Sequence, residues 1–324
     1  MLGEGLVITR RRLLPPVITI DAGAATGGYA GSLYHADQPG GVWQADGVDL
    51  PGETAQDWTM TLELEGRAIR YRVGERVSNA IQMWTPAGLD GLVGAFDVRQ
   101  GLYLDSGRLY GWSPIAGGMY YTQPSTALRP LYQATGADGR PTIYLDFDRR
   151  LSVGGLSAAP AARSIVGLLS PRPNDWFNWT AIISDSNVTG WGLFKSWASP
   201  ATQYGTRVLG ILTAGFANLQ ESSRLIVDGE TYLVAAKTAR PAGTYGFRIN
   251  GAAAGGGTSS VAAFSGTGSY TVNGFGGLSS HVIADAYLSD ADLARIEGWV
   301  AWTLGDAGRM DAGNPYKSAA PRSQ

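Results

Sequence analysis

The stretch that decides the fold lies near the C-terminus and reads Ser289-Asp290-Ala291-Asp292-Leu293-Ala294-Arg295-Ile296-Glu297-Gly298-Trp299-Val300-Ala301-Trp302-Thr303-Leu304-Gly305. Ser289 is a favourable N-cap, and Asp292 three residues later completes a start that resembles a capping box. Apolar side chains then recur at helical spacing, at Leu293, Ile296, Val300 and Leu304. This pattern predicts a helix over residues 290–304, and we expect it to plug an open end of a β-structure.

The rest of the chain favours strands. Residues 68–73 alternate polar and apolar side chains, with Ile69, Tyr71 and Val73 on one face, and residues 59–65 alternate in the same way. Further strands are predicted at residues 142–147, 180–184, 191–195, 208–213, 223–227, 232–237, 244–249 and 281–287. A short helix is also predicted within residues 157–170. Many short strands separated by Asp-Gly and Asn-Gly turns are typical of sandwiches and barrels, so the predicted class is all-β.

Composition excludes several classes of protein. The 324 residues carry 25 Lys and Arg against 27 Asp and Glu, a net charge of −2 that leaves no electrostatic footprint for nucleic acid. The lack of cysteine excludes disulfide frameworks, thiolate metal sites and cysteine nucleophiles. Of the two histidines, we expect His35 in a loop and His281 in a strand.

No apolar run approaches the ~20 residues of a membrane span, and the N-terminus lacks a secretion-signal pattern. We therefore expect a protein that is synthesised in a cytoplasm and does not insert into a membrane.

The pattern of strands and turns divides the chain into two predicted domains. The first covers residues 1–82 and contains Trp43 and the strands up to Val73. The second covers residues 83–324 and includes the C-terminal helix. We expect the tail, residues 317–324, to be frayed.

The first domain resembles a bacterial immunoglobulin-like domain. The resemblance rests on Gly31-Ser32-Leu33, Val42-Trp43-Gln44-Ala45-Asp46-Gly47-Val48-Asp49-Leu50-Pro51-Gly52 and Leu64-Glu65-Gly66-Arg67-Ala68-Ile69-Arg70-Tyr71-Arg72-Val73. It implies an immunoglobulin-like β-sandwich that anchors or spaces the protein. Because the chain has no cysteines, Trp43 must pack in this core without the disulfide of antibody domains.

The second domain resembles the concanavalin A-like or laminin G-like jelly rolls of tailed phages. The resemblance rests on Gly94-Ala95-Phe96-Asp97, Arg129-Pro130-Leu131-Tyr132-Gln133, Tyr245-Gly246-Phe247-Arg248-Ile249-Asn250-Gly251, Arg295-Ile296-Glu297-Gly298-Trp299-Val300-Ala301-Trp302 and Asn314-Pro315-Tyr316-Lys317. Related phage proteins carry Tyr where this chain has Trp299, and His where it has Asn314. The resemblance implies a jelly-roll sandwich with a short C-terminal helix, on a phage tail fibre or spike that assembles as a homotrimer.

An aromatic-rich segment is the predicted glycan-binding site. Trp176 and Trp179 lie three positions apart with Asp175 and Asn178 beside them. The full predicted set is Trp176, Trp179, Asn178, Asp175, Trp191, Trp197 and Tyr204. A strand buries only alternate positions, so some of these rings are expected at the surface, where aromatic rings stack on sugars. Core packing or a subunit interface is the alternative interpretation.

The acidic residues leave two further possibilities open. Asp146 and Asp148 share one face of a predicted strand and could perform acid–base glycoside chemistry, or they could pair with Arg149 or Arg150. Calcium, which prefers six to eight oxygen ligands, is a possible cofactor. Its candidate ligands are Asp105, Asp146, Asp148 and Asp185.

The sequence thus predicts a non-enzymatic structural or adhesion component at the surface of a phage or phage-like particle. The expected partners are a host cell-surface polysaccharide and other virion proteins. Two alternatives remain: a glycan-degrading enzyme on the same fold, and a purely structural connector or decoration protein of the virion.

Overall fold

A computed structural model describes the chain at residues 14–21, 33–146, 149–156, 160–171, 179–185, 192–197, 206–212, 219–227, 229–239, 243–258, 270–273 and 276–323. The chain divides into two compact units. Unit 1 comprises residues 1–84 and 322–324, and unit 2 comprises residues 85–321. No helix in the described residues is both long and apolar enough to cross a membrane.

Unit 1 is built from eight described strands in two antiparallel sheets. They are β1 (Ile18–Asp21), β2 (Leu33–Ala36), β3 (Val42–Ala45), β4 (Val48–Asp49), β5 (Asp57–Thr59), β6 (Ala68–Val73), β7 (Arg76–Val77) and β8 (Ile81–Gln82). One sheet has the order β1-β2-β5, and the other has the order β4-β3-β6-β7, with β8 also paired to β6. His35 lies on β2, not in a loop, and its Nδ1 is 2.6 Å from a carboxylate oxygen of Asp57 on β5.

Aromatic side chains fill the space between these two sheets. Trp43 of β3 is fully buried, and its ring stacks on Trp58 of β5 with centroids 5.5 Å apart. Tyr71 of β6 and Tyr34 of β2 complete the cluster, at 4.8 Å and 6.0 Å from Trp43. The indole N–H of Trp43 donates to the carbonyl of Ala55 at 2.8 Å, so burial leaves no unpaired donor there. The predicted core tryptophan is confirmed.

Residues 59–65 do not form the continuous strand that their alternating pattern predicts. The strand ends at Thr59, and Leu62–Leu64 form a 3₁₀ turn instead of continuing it. Met60 and Leu64 are nevertheless buried, as the alternation indicated. An alternating pattern thus identified which side chains face the core, although the backbone there is not extended.

Unit 2 contains eighteen described strands and one α-helix. The strands are β9 (Leu92–Phe96), β10 (Leu102–Asp105), β11 (Arg108–Trp112), β12 (Ala116–Gly117), β13 (Tyr120–Thr122), β14 (Leu131–Gln133), β15 (Thr142–Leu145), β16 (Arg150–Gly154), β17 (Ala162–Pro171), β18 (Trp179–Asp185), β19 (Gly192–Trp197), β20 (Thr206–Leu212), β21 (Leu219–Val227), β22 (Tyr232–Ala239), β23 (Thr244–Ile249), β24 (Ala252–Thr258), β25 (Tyr270–Asn273) and β26 (Gly276–Ala284). The helix α1 spans Asp290–Thr303. The short helix predicted within residues 157–170 is wrong for the described part of that segment, because residues 160 and 161 are not helical and β17 begins at Ala162.

Pairing joins these strands into one continuous antiparallel sheet of eighteen strands, which folds into two layers that we call sheet I and sheet II. Sheet I has the order β24-β23-β22-β17-β26-β9-β12. Sheet II has the order β10-β11-β13-β16-β25-β18-β19-β20-β21, and β14 and β15 link β11 to β26. Phe96 of sheet I meets Trp112 of sheet II edge to face, with centroids 5.3 Å apart. The predicted fold class is therefore confirmed: the protein is all-β, with sandwich packing and a short C-terminal helix.

Helix α1 covers the outer face of sheet I. It contacts β17, β22 and β26, which are neighbours in that sheet. Every residue of β26 is buried, and because alternate side chains of a strand point to opposite faces, both faces of the strand are covered. The prediction that the helix plugs an open end of the sandwich is therefore wrong. The start of the helix is confirmed: the Ser289 hydroxyl accepts a hydrogen bond from the Asp292 backbone N–H at 3.1 Å.

The segment after the helix packs against it. The Asn314 amide donates to the buried carboxylate of Glu297 at 3.0 Å, and the Trp302 indole donates to the carbonyl of Tyr316 at 2.7 Å. The tail beyond Lys317 is not frayed in its described part. Ala320 is buried, and Arg322 forms an antiparallel bridge with Met83.

Candidate ligand-binding face

The outer face of sheet II carries a group of exposed tyrosines. Tyr103 of β10, Tyr110 of β11 and Tyr120 of β13 are 49%, 42% and 49% exposed. We call the surface made by these three rings, together with Thr122 and Ser152, the tyrosine face. It is a candidate binding surface because large aromatic rings are normally withdrawn from water.

A β-bulge brings two of the rings together. Tyr103 pairs with Gly111 and Leu104 with Leu109, so Tyr110 and Gly111 together oppose one residue of β10. This irregularity places Tyr110 on the outer face beside Tyr103, and their ring centroids are 6.0 Å apart. Leu109 remains buried on the inner face.

Two glycines allow the rings to lie against the sheet. A Cβ on Gly111 would be 3.2 Å from Cδ2 of Tyr103, and a Cβ on Gly154 would collide with the ring of Tyr120. Each ring therefore rests on glycine backbone and turns its other side to solvent. A flat aromatic surface of this kind can stack on a planar or ring-shaped ligand.

Two hydroxyl groups, those of Thr122 and Ser152, lie on the same face beside the tyrosines. Register places Tyr103, Gly111, Thr122 and Ser152 on four adjacent strands at the same height. Thr122 and Ser152 are exposed, whereas their chain neighbours Tyr121 and Val153 are buried on the inner face. The face thus presents aromatic surface next to groups that both donate and accept hydrogen bonds.

Arg129 is held at the edge of this face. Its guanidinium lies 5.4 Å from the ring centroid of Tyr110 and forms an ion pair of 2.7 Å with Asp105. It also donates to the carbonyls of Gln123 and Pro124, at 3.1 Å and 3.2 Å. These contacts fix Tyr110 and the 123–129 segment in position, since an arginine with four partners loses most of its freedom.

Most of the predicted glycan-binding residues lie outside the described residues. This holds for Asp175, Trp176, Asn178, Trp191 and Tyr204. Trp179 begins β18 and Trp197 ends β19, and for these two the structure gives the backbone only. The structure therefore does not test this set, which stays a prediction.

Asp146 and Asp105, two of the predicted acidic residues, each pair with an arginine. Asp146 accepts a 2.7 Å hydrogen bond from the Arg149 backbone N–H, and its carboxylate is 3.4 Å from the Arg149 guanidinium, as one of the sequence interpretations proposed. Asp105 pairs with Arg129. Asp148 lies outside the described residues, and Asp185 is described by its backbone alone. Within the described residues no three potential ligands among His, Asp and Glu cluster together, and calcium binding at these positions stays a prediction.

The tyrosine face was not predicted from the sequence. Alternation in residues 102–105 could have placed Tyr103 and Asp105 on one side of a strand. The bulge at Tyr110 and the contact between Tyr120 and Gly154, 34 positions apart in the chain, have no local sequence signature.

Comparison with known proteins gives remote similarities. No protein-family model matches the chain, and no curated protein does. Among solved structures, the receptor-binding domain of botulinum neurotoxin type G is 12% identical with a TM-score of 0.43, over 63% of this chain and 50% of that domain. The binding domain of Paraclostridial Mosquitocidal Protein 1 is 12% identical with a TM-score of 0.46, over 64% and 52%. A heptameric SAP-like pentraxin from Limulus polyphemus is 15% identical with a TM-score of 0.38, over 48% and 81%. The chain thus spans about half the length of the two toxin domains, and similarities of this degree say nothing about its function.

Proposed function

We propose that the protein is a non-enzymatic adhesion component at the surface of a phage or phage-like particle, as a tail fibre or head spike, and binds a bacterial cell-surface polysaccharide. The observation that carries the binding role is the exposed pair of Tyr103 and Tyr110, whose ring centroids are 6.0 Å apart on the paired strands β10 and β11. The particle assignment is supported by the sequence resemblance of the second domain.

The tyrosine face has the chemistry that a sugar polymer needs. One side of a sugar ring presents C–H groups, which pack on the flat surface of tyrosine, and its hydroxyls require donors and acceptors at the ring edge. Thr122 and Ser152 supply such groups one and two strands away from Gly111. Because the rings lie on sheet strands instead of loops, little ordering entropy opposes binding.

The aromatic segment at residues 175–179 is proposed as a second contact region. Its tryptophans, Trp176 and Trp179, lie in the same unit as the tyrosine face. A polysaccharide repeats its epitope, so two weak contact regions, or several copies of the protein, raise the overall affinity by orders of magnitude. A homotrimer on the particle, proposed from the resemblance, would use this gain.

Binding can be tested on an array of bacterial capsular and O-antigen polysaccharides with the full chain. We expect at least one polysaccharide to bind, and the double variant Tyr103→Ala/Tyr110→Ala to bind it about tenfold less tightly or worse, since each lost stacking contact is worth about 0.5–1.5 kcal/mol. Tyr287→Ala is the matched control, because Tyr287 is 40% exposed but lies beside Lys237 on sheet I. A separate Trp176→Ala/Trp179→Ala variant tests the second region.

Four outcomes would contradict the proposal or one of its parts. An array without any bound polysaccharide would favour a purely structural virion protein. Shortening of a bound polysaccharide by the wild type would show a glycan-degrading enzyme. Immunogold labelling that finds the protein in cell cytoplasm but never on purified particles would overturn the particle assignment, and a monomer by light scattering at micromolar concentration would overturn the trimer.

A further inference from the structure

The tyrosine face is bordered by a row of arginines. Register pairs Asp105 with Arg108 at the end of β10 and β11. Arg150 lies on β16 two residues before Ser152, so both side chains project from the outer face about 6.8 Å apart along the strand. Arg129 lies over Tyr110 beside the same end. One end of the face therefore carries three guanidinium groups and one carboxylate.

The charges in this row do not cancel. Asp105 is occupied by Arg129, at 2.7 Å. Arg108 donates to the backbone carbonyl of Arg129 at 3.4 Å, and neither Arg108 nor Arg150 forms an ion pair with a carboxylate in the described part of the chain. The protein as a whole has a net charge of −2. A positive row on an otherwise slightly acidic chain attracts anions to this part of the surface.

We propose that the tyrosine face binds an acidic polysaccharide, with sugar rings stacked on Tyr103 and Tyr110 and sugar carboxylates bound by Arg108 and Arg150. This inference rests on the proposed function and names its class of ligand. Guanidinium groups bind carboxylates through two parallel hydrogen bonds, and they act most strongly where other groups hold them in place. A uronic acid carries its carboxylate at the ring edge, so a ring over the tyrosines can direct that group toward the arginine row.

The test compares polymers that differ only in charge. Polygalacturonate, polymannuronate and hyaluronan are each titrated into the full chain beside their methyl esters, by calorimetry at low salt and at 0.5 M NaCl. We expect at least one acidic polymer to bind tenfold or more tightly than its ester, and the preference to shrink in high salt because screening weakens exposed charge pairs.

Two variants test whether the arginine row causes the preference for the acidic polymer over its ester. Arg108→Gln/Arg150→Gln should remove the preference for the acid form while the ester, which depends on stacking, binds as before. Arg70→Gln, an exposed arginine of β6 in unit 1, is the matched control and should change nothing. Unchanged melting temperatures of all three proteins are required for the comparison.

The outcomes separate this inference from the proposed function. Equal affinity for acid and ester forms, or binding of neutral array polysaccharides only, overturns the acidic ligand and leaves polysaccharide binding intact. Equally tight binding of inorganic polyphosphate or an oligothymidylate overturns the sugar assignment in favour of unspecific anion binding. Failure to bind any of the three polymers overturns this inference, and failure on the array as well overturns the proposed function.

Discussion

The hydroxyl of Tyr121 and Nε2 of His281 are 2.7 Å apart in the interior between the two sheets of unit 2. Nδ1 of His281 lies 3.0 Å from the carbonyl oxygen of Ser279, which only accepts, so Nδ1 carries the proton and Nε2 accepts from Tyr121. Phe96 stacks on the imidazole with centroids 4.9 Å apart. This neutral histidine joins the two sheets, and burial lowers its pKa to about 4.

The stability of unit 2 should therefore depend on pH through His281. Its folded-state pKa of about 4 lies below the ordinary 6.5, so the unfolded state binds the proton more readily. Stability contributed by the neutral form is complete above pH 6.5 and is lost as the pH falls toward 4, by about 3 kcal/mol. Denaturant unfolding between pH 7.5 and 4 measures this slope.

His281→Gln provides the comparison for that slope. Gln cannot titrate, but its amide oxygen can still accept from Tyr121. The difference in unfolding free energy between wild type and variant should shrink steadily from pH 7 to pH 4. A constant difference across this range would show that His281 does not titrate as the structure indicates.

Breaking the ion pair between Arg248 and Glu297 of helix α1 should lower the stability of unit 2. Arg248 contacts both carboxylate oxygens of Glu297, at 2.8 Å and 3.0 Å, and Glu297 is fully buried. Burial raises the pKa of Glu297 although Arg248 opposes that effect. Arg248→Met leaves the buried carboxylate without an opposite charge and should lower the unfolding free energy by about 3–5 kcal/mol.

The matched double variant is Arg248→Met/Glu297→Gln. Its neutral amide still accepts from Asn314, which donates to Glu297 at 3.0 Å, so most of the loss should be recovered. If the double variant is less stable than Arg248→Met alone, the cost does not arise from an uncompensated charge.

Two tryptophans of α1 should respond differently to the same substitution. The indole N–H of Trp302 donates to the Tyr316 carbonyl at 2.7 Å, whereas that of Trp299 has no partner in the described residues. Both substitutions to Phe remove the same atoms, but only Trp302→Phe also removes a hydrogen bond. Trp302→Phe should therefore cost about 1 kcal/mol more than Trp299→Phe in thermal or denaturant unfolding. Equal costs would contradict the assigned bonding.

Alanine substitutions at two hairpin glycines should distinguish the cost of backbone strain from the cost of a steric collision. Gly107 and Gly251 have φ of +76° and +82°, and each follows a residue that also has positive φ, Ser106 or Asn250. Ala at either position should cost about 1–2 kcal/mol for the left-handed backbone. A Cβ on Gly251 would also lie 2.9 Å from the amide nitrogen of Asn314, whereas a Cβ on Gly107 meets nothing within 4 Å. Gly251→Ala should therefore be the more destabilising, and the reverse order would show that the C-terminal segment moves freely.

Local sequence signals explain much of what could be predicted. The Asn250-Gly251 turn, the strand at residues 244–249 and the cap at Ser289 depend on neighbouring residues, whose preferences act over one or two turns of chain. Where a signal reports only burial, as at residues 59–65, it identified the buried face but not the backbone conformation.

By itself, the sequence determined the all-β class, the hairpin turns, the buried Trp43 and the C-terminal helix, because each follows from side-chain period, cap or turn chemistry within a short window. Only the tertiary structure decided that α1 covers sheet I and that Tyr103, Tyr110 and Tyr120 share one exposed face. These features depend on strand register and on a bulge, and hydrogen bonds between residues far apart in the chain fix both.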